Sequence, residues 1–246
     1  MDRNEARKRV WEELRKVAKP DSRFHWNFAE FIADYEGSDK GAELIRNLDV
    51  YKNAKVIFIT PDNNMEKLRE FALKDKKILL STTYGINRGF QVIYPGSVPE
   101  GKEELATTLD GMEKFMKPVS LQEIREKLEK VDLLVTGASA ITPSGIRFGK
   151  GHGYFDLEWA MLWEIQVVDA QTPVIAAGHD CQVVDVDIEI TPYDTIVDYI
   201  VTPTRVIQVN SNIPKPSQGI IWEKLEQGMR ENIPPLQELY ELKQKQ

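Results

Sequence analysis

The sequence predicts one α/β domain organised around a mainly parallel sheet and followed by a helical tail. Two observations carry that reading. Four apolar, β-branched runs of strand length recur at 54–60, 76–82, 131–137 and 172–178; runs without an alternating polar face suit strands buried on both sides. The first two are separated by a helix-length segment, 62–74, with Leu68, Phe71 and Ala72 at helical spacing. Strand, helix, strand implies a parallel pair joined by a right-handed crossover.

The elements follow in order. Residues 3–18 read as a helix with Val10, Leu14 and Val17 on one side, ended by Pro20. Residues 26–48 read as one or two amphipathic helices broken near Gly37. After the second strand, residues 83–102 hold four glycines and two prolines and little periodicity, a long loop of the kind that often carries function. Residues 120–130 are helical, and the third strand leads into a glycine-rich stretch at 138–155 that ends in a helix at 156–165. Runs at 197–203 and 205–209 are further strands, and past Pro214 and Pro216 helices are expected at 219–231 and 235–244. The domain is predicted to span 1–210, with 211–246 a helical extension packed on it.

Composition narrows the function classes. The 246 residues carry 32 Lys+Arg against 39 Asp+Glu, a formal charge of −7, which argues against DNA as the main partner and leaves RNA open. One cysteine, Cys181, excludes an internal disulfide and any multi-cysteine metal centre, and three histidines do not by themselves make a zinc site. A charged N-terminal segment and the lack of an 18-residue apolar run predict a cytoplasmic protein with no membrane partner. No feature sets an oligomeric state.

The chemistry concentrates in Gly145–Asp156, GIRFGKGHGYFD. Alternating glycines let the backbone approach an anion and turn several N–H groups toward it. The helix N-terminus that follows adds positive partial charge, and Arg147 and Lys150 add formal charge. The stretch is neither a Walker loop nor a dinucleotide fingerprint, whose spacings differ. It reads as a phosphate cradle, with a plain glycine-rich turn as the alternative. Asp156 is either a helix N-cap or a carboxylate that holds magnesium beside phosphates.

The segment resembles the signature of the 5-formyltetrahydrofolate cyclo-ligase (methenyltetrahydrofolate synthetase) family, roughly G-x-R-x-G-x-G-x-G-Y-[YF]-D; Gly145, Arg147, Gly149, Gly151, Gly153, Tyr154, Phe155 and Asp156 occupy its fixed positions. Arg3 and Arg7 resemble the family's N-terminal Lys-x-x-x-Arg, and Asp194 with 197–203 resembles its late His-Asp and terminal strand, with Tyr193 in place of the His. GKGHGYFDLEWAM, HDCQVVD, VDYIVTPTRVI and IPKPSQGIIWEKL are similar to the methenyltetrahydrofolate synthetase domain-containing branch, whose larger members add an RNA-recognition domain.

The resemblance implies a cyclo-ligase-like three-layer sandwich (NagB/RpiA/CoA-transferase-like) with a mainly parallel sheet. It implies ATP-dependent ring closure of 5-formyltetrahydrofolate to 5,10-methenyltetrahydrofolate, with ATP and Mg²⁺ as cofactors and a folate-like small molecule as partner. Arg147, Lys150 and Tyr154 are then the catalytic candidates. Arg3, Arg7, Arg147, Gly149, Lys150, Gly151, His152, Gly153 and Tyr154 would bind the ATP phosphates, Asp62 and Phe155 the substrate, and Asp156 and Asp194 the metal. Arg147→Ala is expected to abolish ATP binding with little loss of fold. Tyr84–Gly89 only partly echoes the family's pterin loop, so two alternatives stand beside this reading. One is a diverged substrate, for example linked to thiamine metabolism; the other is a non-catalytic nucleotide-binding or RNA-associated module.

Bland readings accompany several residues. His152 is either a ligand contact or a solvent-facing spacer, His179-Asp180 a turn rather than a catalytic pair, and Cys181 a small packed residue. Trp159, Met161 and Trp163 read as core, with Trp159 at the edge of a base pocket as the alternative. The basic first helix is either a solvated face or, through Arg3 and Arg7 four residues apart, one side of an anion site.

Overall fold

The computed structural model of the chain describes residues 1–244. Its strands are β1 (Val56–Ile59), β2 (Ile78–Thr82), β3 (Phe90–Ile93), β4 (Lys117–Val119), β5 (Leu133–Gly137), β6 (Ala140–Ile141), β7 (Arg147–Phe148), β8 (Val174–Ala177), β9 (Tyr199–Val201) and β10 (Val206–Gln208). Its helices are α1 (Arg3–Leu14), α2 (Ser38–Asn47), α3 (Asp49–Lys52), α4 (Glu66–Lys74), α5 (Glu103–Thr107), α6 (Leu109–Phe115), α7 (Leu121–Lys127), α8 (Tyr154–Glu164), α9 (Met229–Asn232) and α10 (Pro234–Gln244).

Eight strands form one sheet in the order β10-β9-β8-β5-β1-β2-β3-β4. Its centre, β9-β8-β5-β1-β2, is parallel, and both edges turn antiparallel through β10 on one side and β3 and β4 on the other. Successive strand residues face opposite layers. Phe58, Leu134, Ala176 and Ile200 pack with Phe155, Trp159 and Leu162 of α8 and Leu236 and Leu239 of α10. Ile57, Ile59, Val135 and Ile175 pack with Ile45 of α2 and Leu68 and Phe71 of α4. Both faces of the central strands are therefore apolar, as their unbroken runs require, and the fold is the expected three-layer α/β sandwich.

The departures are local. Residues 26–36 are not helical: Ala18 and Tyr35 form an antiparallel bridge, and the aromatics pair with one another and with α1, Trp11 on Phe28 at 6.5 Å and Phe28 on Phe31 at 5.7 Å. Side-chain stacking, not helix hydrogen bonding, satisfies their spacing. The loop read at 83–102 contains β3, hidden because it is four residues long between Gly89 and Pro95. The helix read at 219–231 is a 3₁₀ turn at Trp222–Lys224 and the short α9, because Gly219 and Gly228 have φ of +67° and +87° and leave the helical path. Ile220, Ile233, Leu236 and Leu239 from beyond residue 210 join the core on the α8 face.

Candidate functional site

The loops that leave the carboxyl ends of β1, β2 and β5 meet the Gly149–Gly153 loop, which β7 feeds and α8 terminates; ligands of open parallel sheets gather at these ends. β7 pairs with β6 and fixes where the loop begins. Gly151 and Gly153 have φ of +135° and +67°, conformations that favour glycine. Gly149 is different: its φ lies outside the left-handed region, and a Cβ there, as on Gly151 or Gly153, would meet nothing within 4 Å. Neither backbone nor packing asks for glycine at 149, and the space in front of the loop there is open. Gly145 shows the contrast, since its Cβ would lie 2.8 Å from the Val197 carbonyl oxygen.

Helix α1 closes over that space. The Nε of Arg7 donates to the Gly149 carbonyl at 2.7 Å and its Nη1 to Asn4 Oδ1 at 2.8 Å. Arg7 is buried and, among the described residues, has no carboxylate partner. Burial first, then the neighbouring charges of Arg3 and Arg147, weaken its hold on its proton, with Asp2 opposing them in part. Arg3 is neutralised: its guanidinium bonds both oxygens of Asp194, 2.9 Å for Nη1 to Oδ1, and this bond strengthens its hold on its proton. Both guanidinium groups lie over the Phe148 ring, at 5.6 and 5.1 Å. Between α1, the loop and residues 187–193 opens a cleft of about 970 Å³, large enough for a nucleotide-sized ligand.

Arg147 faces a second, inner pocket. It is buried, its Nη1 donates to Thr136 Oγ1 at 3.2 Å, its Nη2 reaches Asp156 at 3.5 Å, and its Nε has no partner among the described residues. The pocket holds about 60 Å³ and is lined by Thr60, Asp62, Thr82, Tyr84, Lys150 and Glu158 as well. Asp62 Oδ2 accepts from Thr60 Oγ1 at 2.6 Å and from the Gly137 amide at 3.0 Å. Lys150 Nζ donates to Tyr84 Oη at 2.7 Å and to the Glu30 carbonyl at 3.0 Å, 4.3 Å above the Tyr84 ring. That burial lowers the lysine's proton affinity. Glu158 is 2% exposed, takes the Thr82 hydroxyl on Oε1, and has no cationic partner among the described residues; burial pushes its carboxyl up to about 8.

The expected residues thus divide. Arg3, Arg7, Gly149, Gly151 and Gly153 line the outer cleft, Asp62 and Phe155 the inner pocket, and Arg147, Lys150 and Tyr154 the inner pocket as well. His152 is half exposed, 5.3 Å from the Tyr154 ring and 3.8 Å from a Glu226 oxygen. The carboxylates expected to hold metal are otherwise engaged. Asp194 is taken by Arg3 and, at 2.6 Å, by the Thr191 amide; Asp156 accepts from the Thr195 amide at 2.9 Å on one oxygen and meets Arg147 on the other. Among the described residues no three His, Cys, Asp or Glu side chains converge, so this pair as arranged does not fit a protein-held metal. Asp156 is also not the N-cap, because α8 begins two residues earlier and Gly153 caps it.

His179 caps a 3₁₀ turn through its Nδ1, 3.3 Å from the Cys181 amide, and Asp180 takes the Thr202 and Thr204 hydroxyls, which is the turn reading. Trp159 is core, its Nε1 donating to the Pro216 carbonyl at 2.9 Å. Sequence reasoning missed Glu158, Thr82 and the Glu30 carbonyl. Glu158 left a signal: it shares the face of Phe155 and Leu162 at helical spacing, so a carboxylate sits on the buried stripe of α8.

The model of the 5-formyltetrahydrofolate cyclo-ligase family matches residues 1–203. The Methenyltetrahydrofolate synthase domain-containing protein of Homo sapiens is 38% identical over 212 residues, 85% of this chain and 54% of that protein. Its Bos taurus counterpart is 35% identical over 243 residues, 97% of this chain and 62% of that protein. The chain therefore spans between about half and two thirds of these relatives' length. The NMR structure of Aquifex aeolicus 5,10-methenyltetrahydrofolate synthetase has the same fold, with a TM-score of 0.51 at 18% identity over 85% of this chain and 94% of that one.

Proposed function

Because this chain belongs to the 5-formyltetrahydrofolate cyclo-ligase family, we propose that it is an ATP-dependent cyclo-ligase that closes 5-formyltetrahydrofolate to 5,10-methenyltetrahydrofolate. The observation that carries the nucleotide half is the pairing of an open glycine cradle with Arg7, a buried guanidinium that forms no ion pair among the described residues. Loop amides and a guanidinium together favour an anion such as phosphate.

In the proposed reaction the formyl oxygen attacks the γ-phosphorus and ADP leaves. The N10 amine then attacks the formyl carbon, the C–O bond breaks, phosphate departs, and N10 gives up its proton. The protein's task is positioning and charge neutralisation. The loop amides and Arg7 hold the phosphates. Lys150 and the unpartnered Nε of Arg147 stand on the inner side, where the acceptor oxygen would meet them. Asp62, fixed by Thr60 and the Gly137 amide, is the carboxylate on the pocket floor. Magnesium would arrive on the nucleotide, held mostly by phosphate oxygens and water, and would offset phosphate charge.

Purified protein with Mg-ATP and 5-formyltetrahydrofolate should show an ATP-dependent rise in the methenyl-folate absorbance band. Arg7→Ala should lower the rate at subsaturating ATP by at least about tenfold, the loss of one charge-assisted phosphate contact. No rise, with ATP binding intact, would rule out the folate substrate. A second reading then applies, phosphoryl transfer to a smaller acceptor, favoured by the 60 Å³ inner pocket and the extra carboxyl of Glu158.

A further inference from the structure

Beside the cradle lies an apolar slot whose two walls come from distant parts of the chain. Leu157 and Ala160 of α8 form one; Ile220, Ile221, Leu225 and Met229 form the other. The slot encloses about 120 Å³, room for part of a ligand rather than for a whole drug-sized one. It shares Gly151, Gly153 and Asp156 with the outer cleft, so a ligand anchored on the loop amides reaches it directly. The second wall lies beyond residue 203, outside the region that matches the family.

That wall is pinned in place. Trp159 Nε1 bonds the Pro216 carbonyl at 2.9 Å, and the Ile220 amide donates to Glu164 Oε1 at 3.2 Å. Gly219 has φ of +67°, and a Cβ there would come within 2.5 Å of the Glu164 carboxylate; glycine favours this turn and leaves room for the carboxylate that holds the Ile220 amide. A slot fixed by core anchors on α8 is preorganised, which lowers the ordering cost of binding.

The outer cleft is lined by Arg3, Arg7, Asp187 and Glu189 and suits phosphates and ribose; the slot offers mostly aliphatic carbon, with Lys224 and Glu226 on its far wall and Asp156 where it joins the cleft. We propose that the slot is the nucleobase subsite, taking the planar heterocycle of the nucleotide whose phosphates the cradle holds, and that the C-terminal segment is therefore part of the nucleotide site. This rests on the cradle binding phosphate. The base stacks on aliphatic side chains, and its polar edge meets the Lys224 ammonium and the Glu226 carboxylate.

The test compares ATP with inorganic tripolyphosphate as probes, by calorimetric titration of the full chain. Leu225→Asn removes part of one wall, and Ala160→Met fills the slot without adding charge; thermal midpoints report whether each variant folds. The expected result is an ATP affinity at least about tenfold weaker in both variants, the equivalent of ~60 Å² of lost apolar contact, with tripolyphosphate affinity unchanged. Unchanged ATP affinity in a folded variant overturns the slot and leaves the cradle standing. Equal losses for both probes overturn it too, as does wild-type protein that binds tripolyphosphate as tightly as ATP. Wild-type protein that binds neither probe removes the cradle reading itself, and the slot with it.

Discussion

Glu158 takes its only described hydrogen bond from Thr82 and is shielded from water. Raising its carboxyl from 4.5 to about 8 means the folded chain holds a proton that the unfolded chain releases. Its contribution to stability is full below about pH 4.5 and is lost as pH rises toward 8. Glu158→Gln should flatten the decline of the thermal midpoint across that window, relative to wild type, and raise the midpoint at its upper end. Parallel curves for the two proteins would contradict the assignment. Arg147 makes a second case. Its burial against Asp156 reverses the expectation that Arg147→Ala spares the fold, because truncation strands a buried carboxylate. Breaking such a pair costs about 3–5 kcal/mol. Urea unfolding should show that loss for Arg147→Ala and a smaller one for Arg147→Met combined with Asp156→Asn.

At the scale of elements, the cradle separates backbone strain from ligand space. Gly151→Ala forces a side chain into φ +135° and should cost about 1–3 kcal/mol of stability. Gly149→Ala meets no clash and no strained dihedral, so its thermal midpoint should stay near wild type while phosphate affinity falls, because the methyl group occupies the space the anion needs. A wild-type affinity for phosphate in Gly149→Ala would show that the space serves something else. The same elements show what the sequence makes legible. The central strands were readable because burial on both faces leaves unbroken apolar runs such as Val56–Ile59 and Leu133–Gly137. The Gly149–Gly153 loop was readable because glycine has few other uses there. Residues 26–36 were not, since stacked aromatics mimic helical spacing without helix-forming backbone. Nor was β4, an edge strand that tolerates Pro118. The pairing of Asp156 with Arg147 and of Asp194 with Arg3 was not legible, because a carboxylate's partner is set by tertiary contact and not by local sequence.

At the scale of the whole molecule, the C-terminal segment is structural before it is anything else. Leu236 is fully buried against the same core as α8, so Leu236→Ala should cost about 2–5 kcal/mol and lower a single cooperative unfolding transition. Two separated transitions would mean that the segment folds by itself. The ion pair between Arg3 and Asp194 has a different consequence, measured in time. At ~5–20 residues per second of chain synthesis, about 10–40 s separate Arg3 from its partner 191 residues later. Leu14 meets Phe28 and Phe31 soon after synthesis, but through most of that interval Ala6 and Val10 lack the residues they pack on, Ile146, Phe148, Ile188 and Ile196, and Arg3 lacks its counter-charge. The helix that closes this site is made long before the carboxylate that pins it, so a chain stalled between the two presents Ala6, Val10 and an uncompensated arginine to the cell's holding chaperones.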